Sequence, residues 1–346
     1  MKKDFFKKLK KPYVIAEIGV NHECSLIRAK KMIRLAKNGG ADAVKFQTYK
    51  AETLASRYSP AYWDLKKEKT NSQFRLFKKY DKFGFNDYKI LFKFCKKIKI
   101  DFLSTPFDLN AVKYLKKLIS FYKIASADIN NFPLLQSVGK TKKPVLISTG
   151  ASTIKEIKEA VKILKKNGSK SIAIMHCILN YPTENNNANL GMIKNLKETF
   201  KNKVIGYSDH TVPDKHMSSL LFAYTLGAQI FEKHFTDNKS LKGNDHYHSM
   251  DYRDLKIFRE LILDYQKKIG KIKKQPIKSE LKSIHFARRS IYSKKKIFKG
   301  TKLNTNHLIC KRPGIGINPK YWQKVIGKTA KKNILEDRII KWSHLK

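Results

Sequence analysis

Two stretches of this chain end in the same way. In VIGYSDHTV, residues 204–212, an apolar run leads into Asp209 and His210; in QIFEKHFTD, residues 229–237, another leads into Glu232 and His234. Neutral imidazoles ligate divalent cations, and neighbouring carboxylates can orient the rings or balance charge. Two histidines without a nearby cysteine suit a loosely held ion that keeps positions open for water or substrate. That is the behaviour of Mn or Mg rather than structural zinc. The bland alternative is a pair of packed, hydrogen-bonded histidines, but two such endings on neighbouring segments favour the metal.

Two lysines raise a second question. Lys45 in AVKFQT and Lys123 in FYKIAS interrupt otherwise apolar runs. An unpaired buried ammonium is costly, so each needs an anionic partner or a place at a rim. With Ser126, Ser148 and the backbone around Gly150 they can hold a phosphate or a carboxylate. The alternative is an ion pair with Glu17 or Asp42. Glu17, which ends YVIAEIG beside Asn21 and His22, is a candidate general base.

The elements that must position these groups form a simple pattern. Eight short apolar runs fall at 13–19, 43–48, 100–105, 121–126, 144–149, 171–177, 204–209 and 229–235. Helical patterns follow them at 26–38, 86–97, 110–118, 134–139, 154–166, 190–200, 216–226 and 252–269. Strand then helix, eight times over, predicts an α/β fold of the (β/α)8 TIM-barrel type. The runs are continuously apolar, as expected of strands buried on both faces. A doubly wound open sheet would show a Gly-rich first turn, and EIGVNHECS is not one. In a barrel every strand ends on one face, where active sites are built. His210 and His234 then end neighbouring strands and can converge. Residues 50–85 form an oversized connection on that face, offering Tyr58, Tyr62, Trp63 and Asn71 to a substrate wall. A catalytic barrel over 1–270, a Lys-rich linker over 271–280 and a small β-rich domain over 281–346 complete the layout.

Bulk composition narrows the function classes. A hydrophobic fraction of 41% fills a sizeable core and excludes a disordered chain. Cys24, Cys95, Cys177 and Cys310 form no CxxC pair, which fits a reducing, cytoplasmic setting. The basic, apolar start resembles a leader, but Glu17 lies within it and no small-residue cleavage pattern follows. No uncharged run approaches a membrane span, so no membrane association is expected. The formal charge of +46 points by itself to nucleic acid. Its lysines are dispersed over the polar faces of the predicted helices, so a basic RNA-binding protein is the rival from a different class, and no nucleic-acid partner is expected.

The motifs AEIGVNHECS, ADAVKFQTY, FLSTPFD, YKIASADINNFPLL, PVLISTGAS, HCILNYPT, GYSDHT and EKHFT occur in this order. Together they resemble the sialic acid synthase, or nonulosonic acid synthase, family. ARRSIYSKKKIFKGTKLNTNHLICKRPGIGI resembles that family's antifreeze-like SAF domain. The resemblance implies condensation of phosphoenolpyruvate with an N-acyl amino sugar such as N-acetylmannosamine, giving N-acetylneuraminate or a related nonulosonic acid and phosphate. It implies metal binding by His210 and His234, with Glu17 near the reacting carbons. Phosphoenolpyruvate would be held by Lys45, Lys123, Ser126 and Ser148, with Thr105 close by. Tyr181 and Asp245 would contact the sugar. Arg312 would be delivered into a partner's barrel within a homodimer that swaps its SAF domain. Two departures bear on the acceptor: residues 50–85 differ from the sialic form, and LNYPT with Asn180 stands where that form reads NIYPT. Precursors of legionaminic or pseudaminic acid are therefore the alternatives to N-acetylmannosamine. Barrels that make 3-deoxy-sugar-acid phosphates are the nearest enzymatic rival, but they lack the domain that carries KRPGIGI.

Overall fold

The computed structural model describes residues 4–243 and 245–346. Eight parallel strands run β1 Tyr13–Gly19, β2 Ala43–Thr48, β3 Asp101–Pro106, β4 Tyr122–Ile124, β5 Val145–Ser148, β6 Ile172–Cys177, β7 Ile205–Asp209 and β8 Ile230–His234. Their order is β3-β2-β1-β8-β7-β6-β5-β4, and β3 lies beside β4, so the sheet curls into a near-closed barrel. Each strand is followed by helix: α1 Leu26–Asn38; then α2 Ala51–Leu54, α3 Gln73–Tyr80 and α4 Phe85–Ile98; α5 Leu109–Leu115; α6 Phe132–Lys140; α7 Ile154–Lys166; α8 Met192–Thr199; α9 Ser218–Thr225; and α10 Tyr252–Ile269. The predicted strands and helices are all present, with ends that move by a few residues, as frayed termini do.

Local chemistry sets several of these boundaries. Ser25 Oγ caps α1 by accepting from Arg28 N–H. Thr153 and Glu156 form a reciprocal capping box at the start of α7. Each satisfies helix-end donors that would otherwise lack partners. The helices bury one apolar stripe each against the strands: Ile157, Ala160, Val161 and Leu164 of α7 are an example. The strands bury both faces, which is why they read as unbroken apolar runs. At the N-terminal ends of the strands Phe6 packs edge-on to Phe121, and Phe5 N–H donates to Ser171 Oγ. The leader-like start is thus part of the barrel from Asp4 onward, while Met1–Lys3 lie outside the described residues.

The chain divides into two compact units, Met1–Lys268 and Ile269–Lys346. The second contains α11 Leu281–Phe286, β9 Ser290–Ser293, β10 Leu308–Lys311 and α12 Trp322–Val325, with β9 and β10 antiparallel. It has its own core, in which Ile291, Val325, Ala330 and Ile340 are fully buried. Among the described residues no helix is long and apolar enough to cross a membrane.

Candidate active site

Because side chains alternate along a strand, every second residue near the strand ends points into the barrel mouth. There a cavity of about 470 Å³ is lined by Glu17 of β1, Lys45 and Gln47 of β2, Thr105 of β3, Lys123 of β4, Ser148 of β5, and Glu232 and His234 of β8. Ser126, Tyr181, His210 and Asp245 reach it from the loops that follow their strands. Arg312 belongs to the second unit, where it is exposed just after β10.

The lysines are buried and paired. Register places Glu17 beside Lys45 on one side and His234 on the other. Lys45 Nζ is 2.6 Å from Glu17 Oε2 and donates to Thr105 Oγ1 at 2.8 Å. Lys123 Nζ donates to Glu232 Oε1 at 3.1 Å, and Ser208 Oγ donates to the same oxygen. So the ion pair foreseen for Lys45 exists, and Glu232 serves the second lysine. Burial opposes ionisation of both carboxyls, with different results. Lys123 and Lys45 together outweigh it at Glu232, which is held at about 2. At Glu17 burial wins over Lys45, and repulsion from Glu232 adds to it, so its affinity for a proton is raised. Two carboxyls pushed apart in this way divide into a fixed anion and a group able to exchange a proton. Gln47 Nε2 donates to Glu17 Oε1 at 3.2 Å and fixes its orientation. Across the mouth, Gly150 N–H donates to Ser126 Oγ at 2.9 Å, while Ser148 Oγ is buried without a partner among the described residues. A Cβ on Gly150 would meet Ser126 Oγ at 3.0 Å and Leu179 N at 3.1 Å, so this close approach needs glycine.

The carboxylates next to the histidines in sequence are not the ones next to them in space. Asp209 accepts from Lys233 Nζ at 2.7 Å and from Tyr207 and Thr211, outside the mouth. Adjacent residues of a strand face opposite ways, so Asp209–Lys233 and Ser208–Glu232 form separate layers of one strand pair. The reading of Asp209 or Glu232 as the orienting partner of the histidines is corrected accordingly. His210 is oriented by the Ile178 carbonyl, 2.8 Å from Nδ1. A carbonyl can only accept, so Nδ1 carries the proton and Nε2 keeps a free lone pair. His234 Nδ1 lies 3.4 Å from Asp245 Oδ2. Burial disfavours charge on both, yet their attraction raises the imidazole and keeps the carboxyl well below its usual range. The two rings stand 5.5 Å apart between centres, and Tyr181 packs on His210 at 4.2 Å. His176, by contrast, is a structural residue, with Nε2 bonded to the Ala188 carbonyl and its ring stacked on Tyr207.

His248 escaped the sequence reading. It is fully buried, and its ring lies 5.1 Å from that of His234. Burial drives it neutral, well below the usual imidazole range. The alternation HYH in GNDHYHSM is the one cue; both rings turn inward, His246 against Thr236 and His248 toward His234. The wall from residues 50–85 also differs from expectation. Tyr62 lines the cavity with Leu76 and Phe77 of α3, but Tyr58 is 94% exposed and Asn71 faces solvent. Trp63 instead holds the segment together, donating from Nε1 to the carbonyls of Glu68 and Thr70.

Comparison with known proteins bears on this geometry. Residues 32–274 match the NeuB family and residues 288–346 match the SAF domain. An N,N'-diacetyllegionaminic acid synthase of Campylobacter jejuni is 40% identical over 96% of this chain and 100% of its own length. A pseudaminic acid synthase of Helicobacter pylori is 33% identical over 94% of this chain and 95% of its own. The crystal structure of an N-acetylneuraminic acid synthetase from Leptospira borgpetersenii superposes with a TM-score of 0.70 at 33% identity, covering 79% of this chain and 90% of that one.

Proposed function

The chain belongs to the NeuB family, and on that premise we propose that it condenses phosphoenolpyruvate with a 2,4-diacetamido trideoxy hexose, releasing phosphate and a nonulosonic acid of the legionaminic type. The observation that carries the chemistry is the convergence of Lys45, Lys123 and the unpartnered Ser148 hydroxyl in one cavity beside His210 and His234. Ammonium groups and buried hydroxyls suit a phosphate and a carboxylate on one small molecule. Held there, the enol C3 of phosphoenolpyruvate faces an aldehyde carbon at the histidine side, and the new C–C bond forms between them. Water adds to C2 and the phosphate leaves, while Lys45, Lys123 and the hydroxyls hold the anion that develops. Glu17, with its raised proton affinity and its place between Lys45 and His234, gives a proton to the aldehyde oxygen as the C–C bond forms and takes one from the water that adds to C2.

His210 and His234 fit a divalent cation, Mn or Mg, because the His210 Nδ1–H bond to Ile178 leaves Nε2 free. Such a cation supplies Lewis-acid polarisation of the aldehyde oxygen. Tyr181 and Asp245 line the acceptor side. In a homodimer that exchanges SAF domains, Arg312 completes the partner's barrel. The setting is cytoplasmic.

Sequence motifs put N-acetylmannosamine first among acceptors. The greater similarity to the legionaminic acid synthase, together with the apolar wall of Leu54, Leu76 and Phe77, favours a deoxygenated sugar with two acetamido methyls. The test is phosphate release from phosphoenolpyruvate with Mn and three acceptors in parallel: N-acetylmannosamine and the legionaminic and pseudaminic precursors. The legionaminic precursor should have the highest kcat/KM. Preference for either other sugar overturns the acceptor, and no release with any of them overturns the condensation itself.

A further inference from the structure

The two nitrogens of His248 are the most conspicuous unused groups in the barrel. The residue is 0% exposed, and among the described residues neither Nδ1 nor Nε2 has a hydrogen-bond partner. A buried imidazole left in this way costs free energy unless something binds it. Its Nε2 points toward Asp245, 3.9 Å from Oδ1. Asp245 in turn faces His234 through its other oxygen. One donor atom from each of His234, Asp245 and His248 can be chosen so that all three lie within 4.8 Å of one another. His210 is outside this triangle.

We propose that His248 is a third imidazole ligand of the cation assigned above to His210 and His234, with Asp245 as its carboxylate donor. The inference rests on that cation reading and extends its ligand set. Ring spacing supports it. With about 2.1 Å from metal to nitrogen and about 1.1 Å from nitrogen to ring centre, two imidazoles on one ion have centres about 4.5 Å apart at a right angle and about 5.2 Å at the tetrahedral angle. The His234–His248 separation of 5.1 Å lies within that span, and the His210–His234 separation of 5.5 Å lies just outside it. Asp245 and His234 line the cavity, so an ion enters from the mouth and reaches His248 behind them. Three nitrogens and one carboxylate change the choice of ion. Imidazole-rich sites favour Mn, Co or Zn over Mg, which prefers oxygen ligands and retains its waters.

The full-length chain, stripped of metal with a chelator, is titrated with Mn²⁺ by calorimetry. Pulsed electron paramagnetic resonance of the bound Mn²⁺ then counts its directly coordinated nitrogens. His248→Phe keeps the ring and removes both nitrogens. The expected result is a rise in Kd of at least about 100-fold, beyond the effect of most outer partners, and the loss of one coordinated nitrogen. The metal-free melting temperature of the variant should not fall, since no buried nitrogen is left unpartnered. Should His248→Phe fail to fold, His248→Asn is judged by the same two readouts. Weakened binding with an unchanged nitrogen count overturns the ligand role. So does a Kd within about 3-fold of wild type, and either result leaves the cation on His210 and His234 standing. A wild-type chain that binds no Mn²⁺ overturns the cation reading as well.

Discussion

Replacing Lys123 by methionine tests the electrostatics of the mouth. The side chain keeps its length up to the ε position and loses the charged nitrogen, so Glu232 loses the partner 3.1 Å away. At an effective dielectric of about 20, a pair at that distance attracts by about 5 kcal/mol. Part of this is offset because Lys123 no longer has to be desolvated. Breaking a buried pair from one side typically costs about 3–5 kcal/mol. The lower end applies here, since Ser208 still donates to Glu232 and Lys45 stays 3.9 Å from Oε2. We expect a loss of about 3 kcal/mol, or roughly 6–12 °C in Tm. Adding Glu232→Gln removes the stranded anion and should return at least about 2 kcal/mol, which makes the pair a double-mutant cycle. Glu232 is held at about 2 against an ordinary value of 4.5. Its stabilising contribution is therefore complete above pH 4.5 and is lost as the pH falls toward 2, so the gap between wild type and Lys123→Met should narrow over that window. Urea unfolding measures stability, and phosphate release measures function. The double variant should regain stability without regaining turnover, because the cation for phosphoenolpyruvate is still missing. A single variant that loses less than about 1 kcal/mol, or a double variant no more stable than the single, refutes the ion-pair reasoning. Restored turnover in the double variant refutes the role of Lys123 in binding phosphoenolpyruvate.

Phosphate release should cease on exhaustive chelation and return with Mn, and His210→Ala should lower kcat by at least about 100-fold; full turnover of the chelated chain excludes a metal role. Deleting residues 281–346 should leave a folded, nearly inactive barrel, because the barrel core contains no residue of that segment; circular dichroism and turnover of the truncated chain check both halves of this statement. His22, stacked on Phe83 at 4.3 Å and held at about 4 by burial, is stabilising while neutral, so its contribution is complete above the ordinary 6.5 and declines as the pH falls toward 4. Between pH 7 and pH 5 that amounts to about 2 kcal/mol. His22→Asn, whose amide oxygen can replace Nδ1 as acceptor for Cys24 N–H, should lose less stability over this interval in paired urea titrations, and an equal loss refutes the assignment.

The order of elements and the first turn were enough to determine the barrel. Short unbroken apolar runs rich in β-branched residues read as strands buried on both faces, and eight of them, each followed by helix and without a Gly-rich first turn, point to a closed parallel sheet. The same rule brought Glu17, Lys45, Lys123, Ser148 and His234 to one mouth, since strand ends share a face whatever the loops do. Which charge meets which was decided by the tertiary structure. Asp209 stands next to His210 in sequence, yet strand alternation turns it toward Lys233, and the Ile178 carbonyl from the neighbouring loop orients the imidazole instead. The carboxylate that serves His234 is Asp245, carried in by the connection between β8 and α10, whose path no periodicity describes. That connection also buries His248, and residues 50–85 bring a half-exposed Tyr62 to the edge of the cavity while leaving Tyr58 in solvent. Strands carry their facing in a two-residue repeat that a sequence displays directly. Loops take theirs from long-range packing, and so the barrel and the Lys45–Glu17 pair on its strands could be read in advance while the partners carried by the loops could not.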